Sequence, residues 1–260
     1  GENPHQRGYY FGNLNETFVQ LGGKELSYNN MLDCDAAINL IAEFSNEKGV
    51  TAAIIKHNNA CGIATREKAT YAWQAALAGD PVSAFGGIIV FNQHIDESLA
   101  KEINAIFFEV IIAPSFAEEA VKVFSEKKNR IILQLKKQLV AKQSIKSALG
   151  GYLMQETDSE ALSTDGWNNI TLRKPTTTET EDMLFAVRVI RNLKSNAITL
   201  VKNKQLIGSG AGQTSRVDAL KQAIAKAVNF GFNLKNSVMA SDAFFPFPDC
   251  VEIAKTAGIE

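Results

Sequence analysis

The chain has 260 residues, 45% of them hydrophobic, which is enough to bury a core as one large or two smaller domains and excludes a disordered class. Its 27 basic and 28 acidic residues leave a formal charge of -1, so no global field draws nucleic acid or an anionic membrane, and a small-molecule ligand is the better default. Cys34, Cys61 and Cys250 lack a C-x-x-C pairing, which argues against a disulfide framework and points to the cytoplasm, and there is neither an eighteen-residue apolar run nor a signal peptide.

The opening Gly1-Glu2-Asn3-Pro4, without an initiator Met, reads as the start of an excised piece. Along the first half, short β-branched runs predict strands over 52–55, 87–91, 110–113 and 130–135. A helix is expected from Asp96, with Leu99, Ile103 and Ile106 on one face, and another after Pro114-Ser115, with Glu118 and Glu119 near its N-terminus. A Lys- and Gln-rich stretch over 135–147 and a polar stretch over 157–175 place a domain boundary in that region, giving units of 1–150 and 151–260. Beyond it, Met183, Val187, Ile190 and Leu193 mark a helix, 197–201 and 205–207 form a hairpin with Asn203 near its turn, and Ser215 opens a helix with a capping-box pattern. A strand over 238–240 and a final helix complete an α/β pattern with mixed pairing in both halves, without a close sequence repeat.

The residues with chemistry cluster at strand ends. Lys56 and His57 close an apolar run before a Gly-ended turn at Gly62, and together offer a charge stabiliser and a proton acceptor; a solvated exit from a sheet is the alternative. Gly208-Ser-Gly-Ala-Gly-Gln-Thr-Ser-Arg216 joins a strand to a helix, and its glycines either let backbone approach a ligand or form a flexible turn. Asp80 to Gly87 is a second Gly-ended turn, in which Gly86 either admits a ligand or serves a tight turn. Asn196 in Lys194-Ser-Asn196 is either a donor to a carbonyl oxygen or a turn residue. Phe244, Phe245 and Phe247 are either core or faces for a planar heterocycle, with Asp249 beside them. Three histidines without metal-ligand spacing make zinc chemistry improbable, and there is no G-x-S-x-G elbow.

With these motifs in place, the chain resembles the AICAR transformylase domain of the bifunctional purine-biosynthesis enzyme whose other activity is IMP cyclohydrolase. The resemblance rests on eight ordered motifs: Gly1 to Gln6, Tyr28 to Ala36, Lys56 to Gly62, Asp80 to Gly87, Ile111 to Pro114, Lys194 to Asn196, Gly208 to Arg216 and Ser241 to Asp249. It implies two cytidine-deaminase-like subdomains, three-layer α/β/α with mixed sheets and without the deaminase zinc, the first carrying the Lys-His pair and the second truncated at its C-terminus. It also implies formyl transfer from 10-formyltetrahydrofolate to the 5-amino group of AICAR, giving FAICAR in purine synthesis, in a homodimer with shared active sites.

Carried over by residue, the resemblance makes His57 the general base and Lys56 and Asn196 the donors to the formyl oxygen. It places Gly86, Glu109 and Phe244 on the nucleotide side, with Glu109 where some members carry Asp, and makes 29–35 a loop bordering the nucleotide, with Asn30 and Asp33 as contacts. Arg216, Val217, Phe247 and Asp249 fall on the folate side. The Arg-Tyr pair from which the opening motif continues in the family is absent, as are the cyclohydrolase domain and a C-terminal tail, and Ala60 stands where many members have Pro, which is expected to loosen the turn. The competing expectations are a nucleotide- or folate-binding fragment without turnover and, more weakly, a zinc-dependent base deaminase.

Overall fold

The structure is a computed structural model that describes residues 1–136, 143–158, 160 and 162–259. Part of the Lys- and Gln-rich stretch, 137–142, lies outside the described residues. The first half comprises β1 (Phe18–Gly22), α1 (Tyr28–Ala42), β2 (Val50–Lys56), β3 (Asn59–Arg66), α2 (Ala69–Gly79), β4 (Ile88–Phe91), α3 (Glu97–Ile103), β5 (Val110–Ala113), α4 (Glu118–Ser125) and β6 (Ile131–Leu135). An exposed hairpin of β7 (Gln143–Ala148) and β8 (Gly151–Glu156) leads to α5 (Thr177–Ile190), β9 (Ile198–Val201), β10 (Leu206–Gly210), α6 (Arg216–Asn229), β11 (Val238–Ser241) and α7 (Asp249–Ala257).

Six strands form a mixed sheet in the order β1-β6-β5-β4-β2-β3, with parallel pairing confined to β4-β5 and β5-β6. Its strands β4 and β5 are apolar throughout because both faces are covered. Ala52 and Ile54, Ile89 and Phe91, and Ile111 point to a core with α2, α3 and α4. Their neighbours Ala53, Ile55, Ile88, Val90 and Ile112 point the other way, to a core with α1 and α5 that also takes in Val201, Leu206 and Val238 of the second sheet. That second sheet, β10-β9-β11, buries its far face under α6 and α7. Its pairing is antiparallel throughout, against the expectation of mixed pairing in both halves: a two-residue turn joins β9 to β10, and β11 returns antiparallel on the other side of β9.

One architectural unit occurs twice. The order α1-β2-β3-α2-β4 matches α5-β9-β10-α6-β11, and in each unit the third strand pairs antiparallel with the first strand of the hairpin. Both leading helices start with a complete capping box, Ser27 with Asn30 and Thr176 with Glu179. Gly62 of β3 and Gly208 of β10 lie so close to the backing helix that a Cβ would sit 2.0 Å from the Ala76 carbonyl oxygen and 2.3 Å from that of Ala223. Position 150 falls in the turn between β7 and β8, ahead of the second unit.

Candidate active site

Lys56 and His57 sit at the tip of the β2-β3 hairpin. The turn is shorter than the Gly-ended segment expected from sequence: Lys56 pairs with Asn59, and the two residues between them, His57 and Asn58, have φ of 50° and 63°. Two consecutive left-handed residues fit the tight turn that right-twisted strands favour, and Asn tolerates that conformation through its short polar side chain. Gly62 is therefore inside β3, where it admits α2, and Ala60 pairs with Ile55 outside the turn. His57 is exposed, and among the described residues no hydrogen bond reaches its imidazole.

The half-buried Lys56 ammonium donates to the Phe85 carbonyl oxygen at 2.8 Å. It lies beside Gly86, whose φ of 69° and position 3.2 Å from Lys56 Nζ to a hypothetical Cβ leave no comfortable place for a side chain. Gly86 donates its N–H to the Phe107 carbonyl oxygen at 2.8 Å, and the Phe85 and Phe107 rings, both exposed, pack 5.3 Å apart. Two residues on, Glu109 accepts from the Asn30 side-chain amide at 2.9 Å and lies 3.7 Å from the Lys24 ammonium.

Residues 29–35 are not a loop. They form the first turns of α1, where Asn30 is the capping-box partner of Ser27 and spends its amide nitrogen on Glu109. Asp33 accepts the Asn58 backbone N–H at 2.6 Å; the Asn58 side-chain nitrogen, with its amide turned toward the acid, lies 2.9 Å from the same oxygen. The sequence concealed this helix because its polar N-terminal turn, Tyr28-Asn29-Asn30, has weak helical propensity and forms through the cap.

A second cluster gathers the folate-side candidates. Arg216, the first residue of α6, pairs with Asp242 at 3.0 Å, and Asp242 also accepts from the Ser195 hydroxyl and, at 3.2 Å, from the Ala197 N–H. Burial alone would raise the Asp242 carboxyl; the hydrogen bonds from Ser195 and Ala197 and the Arg216 charge outweigh it and hold the group below the usual carboxylate range. Sequence reasoning passed over Asp242, although it stands inside the Ser241 to Asp249 motif. Asn196 donates from its side-chain amide to the carbonyl oxygens of Gln213 at 2.9 Å and Thr214 at 3.3 Å, which ties it to the 211–214 segment.

Gly208 and Gly210 also take a different part from the ligand approach considered for them. Both are in β10, and a Cβ on Gly210 would lie 2.0 Å from the Ala219 carbonyl oxygen, so these glycines let α6 settle on the strand. Phe244 and Phe247 are largely exposed and Phe245 is partly buried, which leaves two of the three aromatic faces outside the core. Val217 packs half-buried against the outer core, and Asp249 is the first residue of α7, its carboxylate accepting the Cys250 N–H at 2.8 Å. The two clusters meet where the Lys194 N–H reaches the Asn59 side-chain oxygen at 3.5 Å, one residue from the His57-Asn58 turn.

Burial pushes the Cys34 thiol up and the Cys61 thiol up to about 12, so neither supplies a thiolate near neutral pH. Among the described residues no group of three or more His, Cys, Asp or Glu is placed to hold a metal ion, and no helix is long and apolar enough to cross a membrane.

Residues 1–226 match the family described as AICARFT/IMPCHase bienzyme. The bifunctional purine biosynthesis protein PurH of Bacteroides thetaiotaomicron is 56% identical over 259 residues, covering 100% of this chain and 50% of that protein. PurH of Aquifex aeolicus is 48% identical over 265 residues (100% and 51%), and PurH of Acetivibrio thermocellus is 46% identical over 270 residues (100% and 51%). The chain spans about half the length of the curated relatives it matches.

Proposed function

Because the chain belongs to the AICARFT/IMPCHase bienzyme family, we propose that it performs the transformylase half of that pair, moving a formyl group from 10-formyltetrahydrofolate to the 5-amino group of AICAR. The observation that carries this reading is the hairpin tip, where an exposed imidazole and an ammonium fixed beside Gly86 adjoin a frame of Glu109, Asn30 and the Phe85-Phe107 pair.

The acceptor amine is conjugated with a carboxamide and is a poor nucleophile, so its attack on the formyl carbon needs a proton acceptor. His57 takes the N–H proton as the new C–N bond forms, an effect of about 10²- to 10⁴-fold for a well-placed base. Negative charge then gathers on the formyl oxygen, where Lys56 is the donor; one such donor contributes about 10²- to 10³-fold. Collapse of the tetrahedral adduct breaks the bond to folate N10, which leaves with a proton as tetrahydrofolate. Asn196, which holds the 211–214 segment, is the second donor to the formyl oxygen. Gly86, Glu109 and Phe244 face the nucleotide, with Glu109 accepting from ribose hydroxyls, and Arg216, Val217, Phe247 and Asp249 face the folate.

The same reading places the chain in the cytoplasm, as a homodimer with shared active sites and with an IMP cyclohydrolase domain in the parent chain. The repeated α-β-β-α-β order supports two subdomains, with the division near residue 150 and a cytidine-deaminase-like plan for each. The test is tetrahydrofolate release from AICAR and 10-formyltetrahydrofolate by the wild-type chain, Lys56→Ala and His57→Ala. A loss of at least about 100-fold in kcat in each variant is expected. Normal rates in both variants would remove the proposal, and binding without release by the wild type would leave a binding fragment in its place.

A further inference from the structure

The two repeated units each present a two-residue turn with both residues left-handed: His57-Asn58 in the first, Asn203-Lys204 in the second. Each turn is gripped by an aspartate from the unit's own leading helix, and in both helices it is the sixth residue. Asp182 of α5 accepts the N–H groups of Asn203 and Lys204 at 2.7 and 2.6 Å. Asp33 of α1 accepts the Asn58 N–H at 2.6 Å and adjoins the Asn58 side-chain nitrogen at 2.9 Å. A left-handed pair of non-glycine residues is disfavoured because each Cβ crowds the following carbonyl oxygen, so such a turn holds its shape when its outward N–H groups meet a fixed acceptor. Asp33 is fixed because Ser27 and Asn30 cap the start of its helix while Cys34, Ala37 and Ile38 anchor the next turns in the core.

We infer that Asp33 is a positioning residue for the transfer, not a substrate contact: through Asn58 it sets the direction in which His57 projects. This rests on the reading of His57 as the general base. The clamp of the second unit supplies an internal control, since Asp182 grips a turn of the same shape that bears no imidazole.

The experiment compares Asp33→Ala, Asp33→Asn and Asp182→Ala in the full chain, by steady-state kinetics with both substrates, urea unfolding and amide exchange at residue 58. Loss of the acceptor misdirects the base, and displacement of a reacting group by about 1 Å costs up to about 100-fold. The expected result for Asp33→Ala is therefore a kcat about 10- to 100-fold lower, KM values within about threefold of wild type, and faster exchange at Asn58. Asp33→Asn retains an oxygen acceptor and is expected within about threefold of wild type in kcat. Asp182→Ala is expected to lose stability with kcat within about twofold.

Unchanged kcat in Asp33→Ala overturns the inference, as does an equal loss in Asp33→Asn, which would assign the effect to charge or substrate contact. Equal kcat losses in the Asp33 and Asp182 variants would reduce both to general destabilisation and also overturn it. If Asp33→Ala does not fold, Asp33→Glu carries the test: it keeps the charge, displaces the acceptor by a methylene and is expected to lower kcat, and a wild-type kcat overturns the inference. His57→Ala, run alongside, isolates the base assignment: a normal rate there removes the base, while exchange at Asn58 still reports the clamp.

Discussion

Gly210→Ala separates two meanings of the glycine-rich segment. If Gly210 exists to admit α6, the substitution damages the protein with no ligand present; if it exists to admit a ligand, only affinity changes. The added Cβ would lie 2.0 Å from the Ala219 carbonyl oxygen, whereas ordinary contact begins near 3.4 Å, so strand and helix must part by more than an ångström. That movement loosens Ala219, Leu220 and Ala223, all fully buried against β9 and β10, and draws Arg216 at the head of α6 away from Asp242. Overpacking a dense core costs about 1–3 kcal/mol, and a rigid backbone obstacle places this case near the top of that range. At about 2–4 °C per kcal/mol for a chain of this size, Tm should fall by about 6–12 °C. Gly212→Ala is the comparison: its φ is 68° and its nearest neighbour, Lys194 Cδ, is 3.8 Å from the added Cβ, so it bears only the left-handed penalty of about 1–2 kcal/mol. Thermal unfolding without ligands decides the matter. A Gly210→Ala variant within about 2 °C of wild type would refute the packing argument.

Gly86→Ala should cost about 1–2 kcal/mol for its left-handed φ and also crowd the Lys56 ammonium, lowering kcat about tenfold; steady-state kinetics with an unchanged kcat would disconnect Lys56 from this turn. Asp80 provides the pH test. Its burial would raise the carboxyl, but the Lys226 ammonium at 2.8 Å and two bonds from Ser83 outweigh that and hold it below the usual range. A depressed folded-state value means that its contribution is full above the unfolded value of about 3.9 and is lost as pH falls below it. Asp80→Asn should therefore be less stable than wild type at neutral pH, by about 2 kcal/mol given the partial exposure of Lys226, and the gap should close below about pH 4. Urea midpoints between pH 7 and 2.5 measure it, and a gap that persists at pH 2.5 would rule the pair out as its source.

The strands were legible where burial on both faces left unbroken apolar runs, as in β4 and β5, and the helices where apolar spacing or a cap marked them, as at Asp96 and Ser215. The Lys56-His57 pair was legible because two chemical groups ended such a run. What escaped depended on contacts distant in sequence. β3 reads as a glycine turn until Gly62 is seen against Ala76, and α1 reads as a polar loop until its capping box is seen. Asp242 carries no local signal that ranks it above Asp249; only the approach of Ser195 and Arg216 does so. The bonds from Asn196 to Gln213 and Thr214 likewise follow from how two loops meet.

On the proposed reading, the repeat explains how one turn can carry chemistry while its twin does not. Both hairpins bring a lysine to the same place, Lys56 and Lys202, each one residue ahead of the left-handed pair. Lys202 turns to the carbonyl oxygens of Asn233 and Lys235, and its turn is built into the contact between the units: Arg66 donates to the Asn203 and Lys204 carbonyl oxygens, Thr65 donates to Lys204, and the Lys204 ammonium pairs with Glu47. The carbonyl oxygens of Asn203 and Lys204 and the Lys204 ammonium of that second turn thus reach residues of the first unit. In the first unit the matching position is His57, exposed and with no hydrogen bond to its imidazole among the described residues, while Asp33 accepts the Asn58 N–H behind it and the Asn59 side-chain amide donates to the His57 carbonyl oxygen. A scaffold that needs a rigid turn twice can use one as a strut and leave the other open, and only the open one can present a base to a substrate.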